Sequence, residues 1–438
     1  MTEGSVAKVI LAYAAPLFIG NLFQQLYNTA DSLIVGNFVG QNALAAVTSV
    51  GPLTYLLIGF FMGFSTGGGV IIARAVGADN REKAERAVHT LTALGLVLSV
   101  ALTLFGVFCT PTILEWMGTP AEVLPLAVTY LRIYFAGSIA LVMYNIFVGI
   151  LNAGGDSTHP LYYLITSSLI NVVGDIILIT AFDMGVAGAA VATIASQFLS
   201  ALLCLRRLLK EKSMIALTPS KIRFHKEELS EIVRFGIPTA MQNCVIDFAN
   251  ILIQSYYNSF GAAIVAGIGA YSKVEGFVFL PVTAFSMAMT TFISQNLGAG
   301  KDDRVRKGMR FGILTCCLVI EAIGIIFILF APVFINAFNR SPEVIAAGAA
   351  RARTCAPFYC FLGFSHVVSA ILRGEGRPVM PMAVMLICWC AVRVITLMTI
   401  GQVIHDIALA NWLYPITWML STAVFAWDLR QYHPFRKA

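Results

Sequence analysis

Apolar runs long enough to cross a bilayer follow one another along the whole chain, separated by short polar breaks. A helix needs about 20 mainly apolar residues to span the hydrocarbon core. The pattern predicts twelve such spans, near 9–35, 44–72, 88–109, 124–150, 160–182, 186–206, 231–257, 265–293, 311–334, 345–371, 380–403 and 408–427. The short alternating strands of a membrane β-barrel do not occur. The first span has a second pattern inside its apolar one. Asn21, Gln24, Asn28 and Asp31 are spaced by three, four and three residues, so a helix gathers them in one stripe. A carboxylate at bilayer depth costs about 2.5–3.5 kcal/mol on insertion scales, which makes Asp31 a candidate functional residue.

The polar breaks alternate in charge. Lys and Arg crowd the breaks after the second, sixth and eighth spans: Arg81, Lys83 and Arg86; Arg206 to Lys226; and Lys301 to Lys307. Arg373 and Arg377 follow the tenth span, and Arg430, Arg436 and Lys437 lie in the tail. The intervening breaks near 36–43, 110–123, 258–264 and 404–407 hold neither residue, and Arg340 is the exception on that side. By the positive-inside rule both termini and the central linker are expected in the cytoplasm.

The chain also repeats at an offset of 221 residues. Asn37, Gly40, Gly77-Ala78, Pro111, Glu122-Val123, Arg132, Ile150-Leu151, Gly155 and Pro160 recur as Asn258, Gly261, Gly298-Ala299, Pro332, Glu343-Val344, Arg353, Ile371-Leu372, Gly376 and Pro381. The expected fold is therefore an all-α polytopic membrane protein. It has two six-helix lobes, 1–206 and 231–438, joined by a basic cytoplasmic linker at 207–230. An even number of spans per repeat predicts a pseudo-two-fold axis along the membrane normal and a binding site near the midplane.

Where the repeats differ, chemistry is the better explanation. Asp31 corresponds to Leu252, Asp175 to Thr396 and Thr193 to Tyr414. Asn171 and Asp175 share a face of the fifth span, and Thr193 and Gln197 share one of the sixth. Two carboxylates, an amide and a hydroxyl suit a hard monovalent cation such as Na⁺, or a shared proton. Two acids that close in a poorly hydrated site cannot both ionise cheaply. The alternative, that these groups only bond helices together, stays open. In the second repeat Asp247, Lys273, Glu275 and Arg393 fall within or at the ends of the seventh, eighth and eleventh spans. They either neutralise one another, line a substrate cavity with Asn28 and Gln24, or form a second ion site. Glu321 in the ninth span is ambiguous. Pro16 and Pro281 sit inside spans, where a proline removes a backbone hydrogen bond and permits a bend. A bend at Pro16 could couple occupancy near Asp31 to helix shape.

Composition narrows the class. Hydrophobic residues make up 58% of the 438 and charged residues 12%, against about 25% charged in soluble domains. The net charge of +6 resides in alternate breaks, so it reports topology and not a nucleic-acid partner. Nine cysteines are odd in number, include no metal-type CxxC pair and mostly lie in apolar segments, where they read as core residues. Ala12-Tyr13-Ala14 resembles a cleavage site, but the apolar run before it is too short for a signal peptide, so the first helix is expected to stay. Neither HExxH nor an ATP-binding P-loop occurs, and Ala153-Gly154-Gly155-Asp156 is not GxGD, so no enzymatic activity is expected.

The opening PLFIGNLFQQLYNTADSLIVG, the doubled six-helix plan and Gln295-Asn296-Leu297-Gly298-Ala299-Gly300 before a basic loop resemble the multidrug and toxic compound extrusion (MATE) transporters, in their DinF-like branch. The resemblance covers nearly the whole chain. It implies an inner-membrane antiporter, expected as a monomer without cofactor, that exports cationic or amphipathic small molecules through the lipid bilayer against inward H⁺ or Na⁺. It also implies a cation site at Asp31, Asn171, Asp175 and Thr193. Another branch uses acids of the seventh and tenth helices; Asp247 lies near the first, but no acid stands between Glu343 and Glu375. The alternatives are a flippase of lipid-linked substrates and, further off, a channel or an intramembrane enzyme.

Overall fold

The computed structural model of the chain describes residues 1–432, except the side chains of Gln41, Pro52, Tyr55, Asp247 and Tyr432. Arg436 and Lys437 of the basic tail, and the side chain of Asp247, thus lie outside the description. Among the described residues the structure is helical throughout: α1 Val6–Ile34, α2 Gln41–Gly77, α3 Arg81–Trp116, α4 Leu124–Ala136, α5 Ser138–Ala153, α6 Thr158–Ile176 and α7 Gly185–Lys210. There follow α8 Lys226–Asn258, α9 Ala262–Gly298, α10 Asp302–Asn336, α11 Pro342–Cys355, α12 Tyr359–Glu375, α13 Val379–Val384, α14 Val392–Val403 and α15 Ile407–Tyr432. Widened π-type turns extend α1 through Val39 and α6 through Ala181, and join α13 to α14.

These elements map onto the twelve expected spans. The fourth is the pair α4–α5, bent by 50°. The bend falls at Gly137, where α7 comes so near that a Cβ would stand 2.2 Å from Ile194 Cγ2. The tenth is α11–α12, joined by a tight turn at Ala356–Phe358, and the eleventh is α13–α14. Among the described residues nine helical segments are long and apolar enough to cross a membrane, and the bent pair makes a tenth. The other two, α8 and α15, have 33 and 26 residues, enough to span at about 1.5 Å per residue. Polar residues such as Gln242, Asn243, Asn250 and Gln254 dilute the apolar character of α8.

The repeat has a backbone cause. Gly40 and Gly261, 221 residues apart, open α2 and α9 at φ +114° and +91°, and Gly155 and Gly376 turn at +94° and +91°. A side chain is strained in that region, so glycine recurs. Asn80 caps α3, its side chain accepting from the Lys83 N–H at 3.0 Å.

The chain forms two compact units, Ala15–Ala240 and Met1–Ala14 with Met241–Ala438. The dividing lines fall inside α1, two residues before Pro16, and inside α8, two residues after Pro238. They differ from the boundaries expected from sequence because packing ignores the loops. The segment after α7 folds onto the first unit: the Leu217 N–H donates to Leu208 O at 3.1 Å and the Thr218 N–H to His89 Nε2 at 3.0 Å. Ile215, Leu217 and Ile232 are buried there. The start of α8 stays with the same unit, because Gly63 and Gly67 of α2 admit the backbones of Ala240 and Gly236. In the second unit the first residues dock on the end of α9, with the Met1 amine donating to Gln295 Oε1 at 2.7 Å and Tyr13 bonding Thr291 at 3.3 Å. All nine cysteines are free thiols.

Candidate functional site

In the first unit α6 packs along α7, with Gly174 of α6 against Ala192 of α7. A Cβ there would stand 3.3 Å from that of Ala192. This brings the neighbouring residues Asp175 and Thr193 to the same level. Gly20 sets α1 against Leu161 and Leu164 of α6, and Asp31 lies three turns further along α1. The carboxyl groups of Asp31 and Asp175 interact side chain to side chain.

The surroundings are short of partners. Asp175 is fully buried, Asn171 is 1% exposed and Ser168 is buried, all on one face of α6. Both oxygens of Asp175, Oδ1 of Asp31, both amide atoms of Asn171, Ser168 Oγ and Gln197 Oε1 are buried without a hydrogen-bond partner. Buried polar atoms are nearly always satisfied, so a run of orphans in one place calls for an ion, a proton or ordered water. All the donor atoms but one are oxygens, which suits Na⁺ or a proton and not a soft metal. Among the described residues no group of three or more His, Cys, Asp or Glu side chains gathers as a metal site.

Asp31, Asn171 and Asp175 are therefore brought together. Thr193 is half-buried opposite, its carbonyl accepting from Ser196 Oγ at 2.8 Å. Gln24 is exposed and Asn28 half-buried, and the Asn28 carbonyl accepts from Ser32 Oγ. One contributor escaped the sequence reading. Tyr130 of α4 is buried in the field of both carboxylates, its ring stacked on that of Tyr134 at 6.3 Å.

The second unit holds a different cluster. Arg351 of α11, also missed from sequence, is 2% exposed. Its guanidinium lies over the rings of Tyr257, Tyr271 and Tyr414 at 5.0, 4.9 and 4.3 Å, and donates to Tyr257 Oη and to Asn411 Oδ1. Arg393 of α14, equally buried, lies over Tyr414 and Trp389 at 4.1 and 5.2 Å and donates to Thr417 Oγ1 at 2.8 Å. Glu275 accepts from Tyr271 at 2.5 Å and from Tyr359 at 3.4 Å. Among the described residues no ion pair joins Glu275, Lys273 and Arg393, and Lys273 is exposed. Glu321 is structural: its carboxylate accepts from the Cys360 N–H at 2.8 Å at the start of α12.

Comparison with known proteins agrees with this architecture. The MatE family model matches the chain twice, over residues 16–177 and 238–399. "Probable multidrug resistance protein YpnP" of Bacillus subtilis is 30% identical, covering 90% of this chain and 88% of its own. A "FAD transporter" of Shewanella oneidensis is 24% identical over 96% and 93% of the two chains. Among solved structures, a multidrug resistance MATE family transporter in its outward-facing conformation superposes with a TM-score of 0.92 at 24% identity, covering 99% of this chain and 98% of that one. A double match to one family along a duplicated, membrane-spanning helical chain leaves no room for an enzyme, and this protein belongs to the MatE family of multidrug efflux transporters.

Proposed function

We propose that this transporter is a cation-coupled antiporter, exporting cationic or amphipathic small molecules by alternating access against inward H⁺ or Na⁺. The observation that carries it is the Asp31–Asp175 pair, with Asn171 and no hydrogen-bond partners for most of its polar atoms. A site built this way has two states of comparable energy. With a cation or proton the carboxylates are compensated, and without one they repel. A ligand that changes which state is favoured shifts the conformational population. One inward cation supplies ~2.3 kcal/mol per 100 mV. At ordinary bacterial potentials that is roughly 3–4 kcal/mol, enough for a few hundredfold gradient of substrate.

Pro16 and Pro238 stand where α1 and α8 pass from one unit to the other, so the backbone is loosened at those crossings. The excess of Lys and Arg at alternate helix ends supports an orientation with both termini on the cytoplasmic side of the inner membrane. The chain works as a monomer with no resident cofactor, and belongs to the DinF-like branch on the strength of Asp31, Asn171, Asp175 and Thr193. Asp31→Asn tests the reading in cells. It should insert at wild-type levels and confer no drug resistance; wild-type resistance from this variant would end the proposal.

A further inference from the structure

The second unit's cluster has more positive charge than its described neighbours balance. Arg351 and Arg393 share one tyrosine ring, that of Tyr414, and both lie in the field of a single carboxylate, Glu275. An arginine stays charged in proteins, so one carboxylate can balance at most one of the two. Neither guanidinium forms an ion pair among the described residues. Each also keeps an unused buried donor, Nε of Arg351 and Nη2 of Arg393. An unpaired buried charge with free N–H groups is among the least favourable arrangements a protein core can hold.

Cation–π contact with four aromatic rings offsets part of this, at about 0.5–2 kcal/mol each, but a ring satisfies no N–H donor along the guanidinium edge. Tyr257, Tyr271 and Tyr359 are buried in the cluster, and Tyr414 and Glu275 are only partly buried. Asn411 and Thr417 add short polar groups beside the two arginines.

We infer that this arginine–tyrosine chamber, formed by α8, α9, α11, α14 and α15, binds an oxyanion, a carboxylate or phosphate group of a bound molecule. Planar guanidinium edges match such groups two oxygens at a time. The tyrosine and tryptophan rings supply an apolar wall for the rest of the ligand. Glu275 sets the selectivity, because it repels a second negative charge and so favours monoanionic or single-headed ligands. The site is distinct from the Asp31–Asp175 pair, which would repel the same ligand. It requires none of the coupling chemistry proposed above, and a binding measurement tests it without transport.

The full chain in phosphatidylcholine nanodiscs is titrated calorimetrically with benzoate, phenyl phosphate and the neutral isostere benzamide. Benzoate or phenyl phosphate should bind at least tenfold more tightly than benzamide. Equal affinities, or no binding of either anion, overturn the inference whatever becomes of any variant. Arg393→Gln, checked for wild-type helix content, should erase the discrimination between benzoate and benzamide; discrimination unchanged in the folded variant also overturns it. Arg393→Lys should retain part of the preference, since it keeps the charge and loses the fork. Repeating the titration in phosphatidylglycerol nanodiscs identifies the source of the oxyanion. Competition by that lipid assigns the chamber to a headgroup, and undiminished binding assigns it to a free solute.

Discussion

The two units answer the same structural position with opposite charge. Arg351 stands 221 residues after Tyr130, and Tyr414 stands 221 after Thr193. In the first unit Tyr130 lies in the field of two carboxylates, and among the described residues neither forms an ion pair. In the second, Arg351 faces tyrosines, while Thr396 and Leu252 replace the acids. Duplication supplied one scaffold twice, and divergence at a few buried positions made one copy acidic and the other basic. Charge of one sign in a poorly hydrated interior needs a mobile partner of the other. The first unit can find it in a proton or Na⁺, the second in an anionic group.

Changes that erase this difference should have graded effects. The largest is expected for Asp175→Asn, which leaves Asp31 alone and removes the repulsion that makes cation binding favourable. Coupled dye efflux from proteoliposomes should fall at least about a hundredfold, equivalent to about 2.7 kcal/mol, with the helical content intact. Retained efflux would show that one acid suffices and that the pair is structural. Next comes Arg351→Gln, which strips the second unit of its central charge and its contacts with three rings. Loss of those cation–π contacts should lower stability by about 1–3 kcal/mol. The readout is a reduced thermal unfolding midpoint, with cation dependence of efflux unchanged. A changed cation dependence would mean that the two clusters are not separable. The smallest effect is expected from Tyr130→Phe, which removes one hydroxyl from the field of the acids at about 0.5–1.5 kcal/mol. The concentration of H⁺ or Na⁺ giving half-maximal efflux should move by a few-fold, and no movement would exclude Tyr130 from the site.

Much of this was legible before any coordinates. Uninterrupted apolar runs fix where helices lie, because a lipid-facing backbone must satisfy its hydrogen bonds within the helix. The repeat at 221 residues showed the duplication and paired Gly40 with Gly261, both of which the structure holds at positive φ. Asp31 and Asp175 stood out because their counterparts are apolar or neutral. The bend at Gly137 did not show, since hydropathy runs evenly across it and its cause is Ile194 of another helix. The division of α1 and α8 between the units was equally hidden: packing partners such as Gly67 and Gly236 leave no periodic trace. Arg351 was hidden beside Arg353, the arginine that matches Arg132 in the repeat; its signal lies in its own counterpart, Tyr130, which is uncharged.

The central claim is that Asp31 and Asp175 form the point where an inward cation meets outward transport. Dye efflux from proteoliposomes under an imposed ΔpH or ΔpNa, measured for the wild type and for Asp31→Asn, tests it most directly. The account predicts efflux that follows one of the two gradients in the wild type and is lost in the variant under both. Gradient-driven efflux of wild-type size from a correctly inserted Asp31→Asn protein would contradict it.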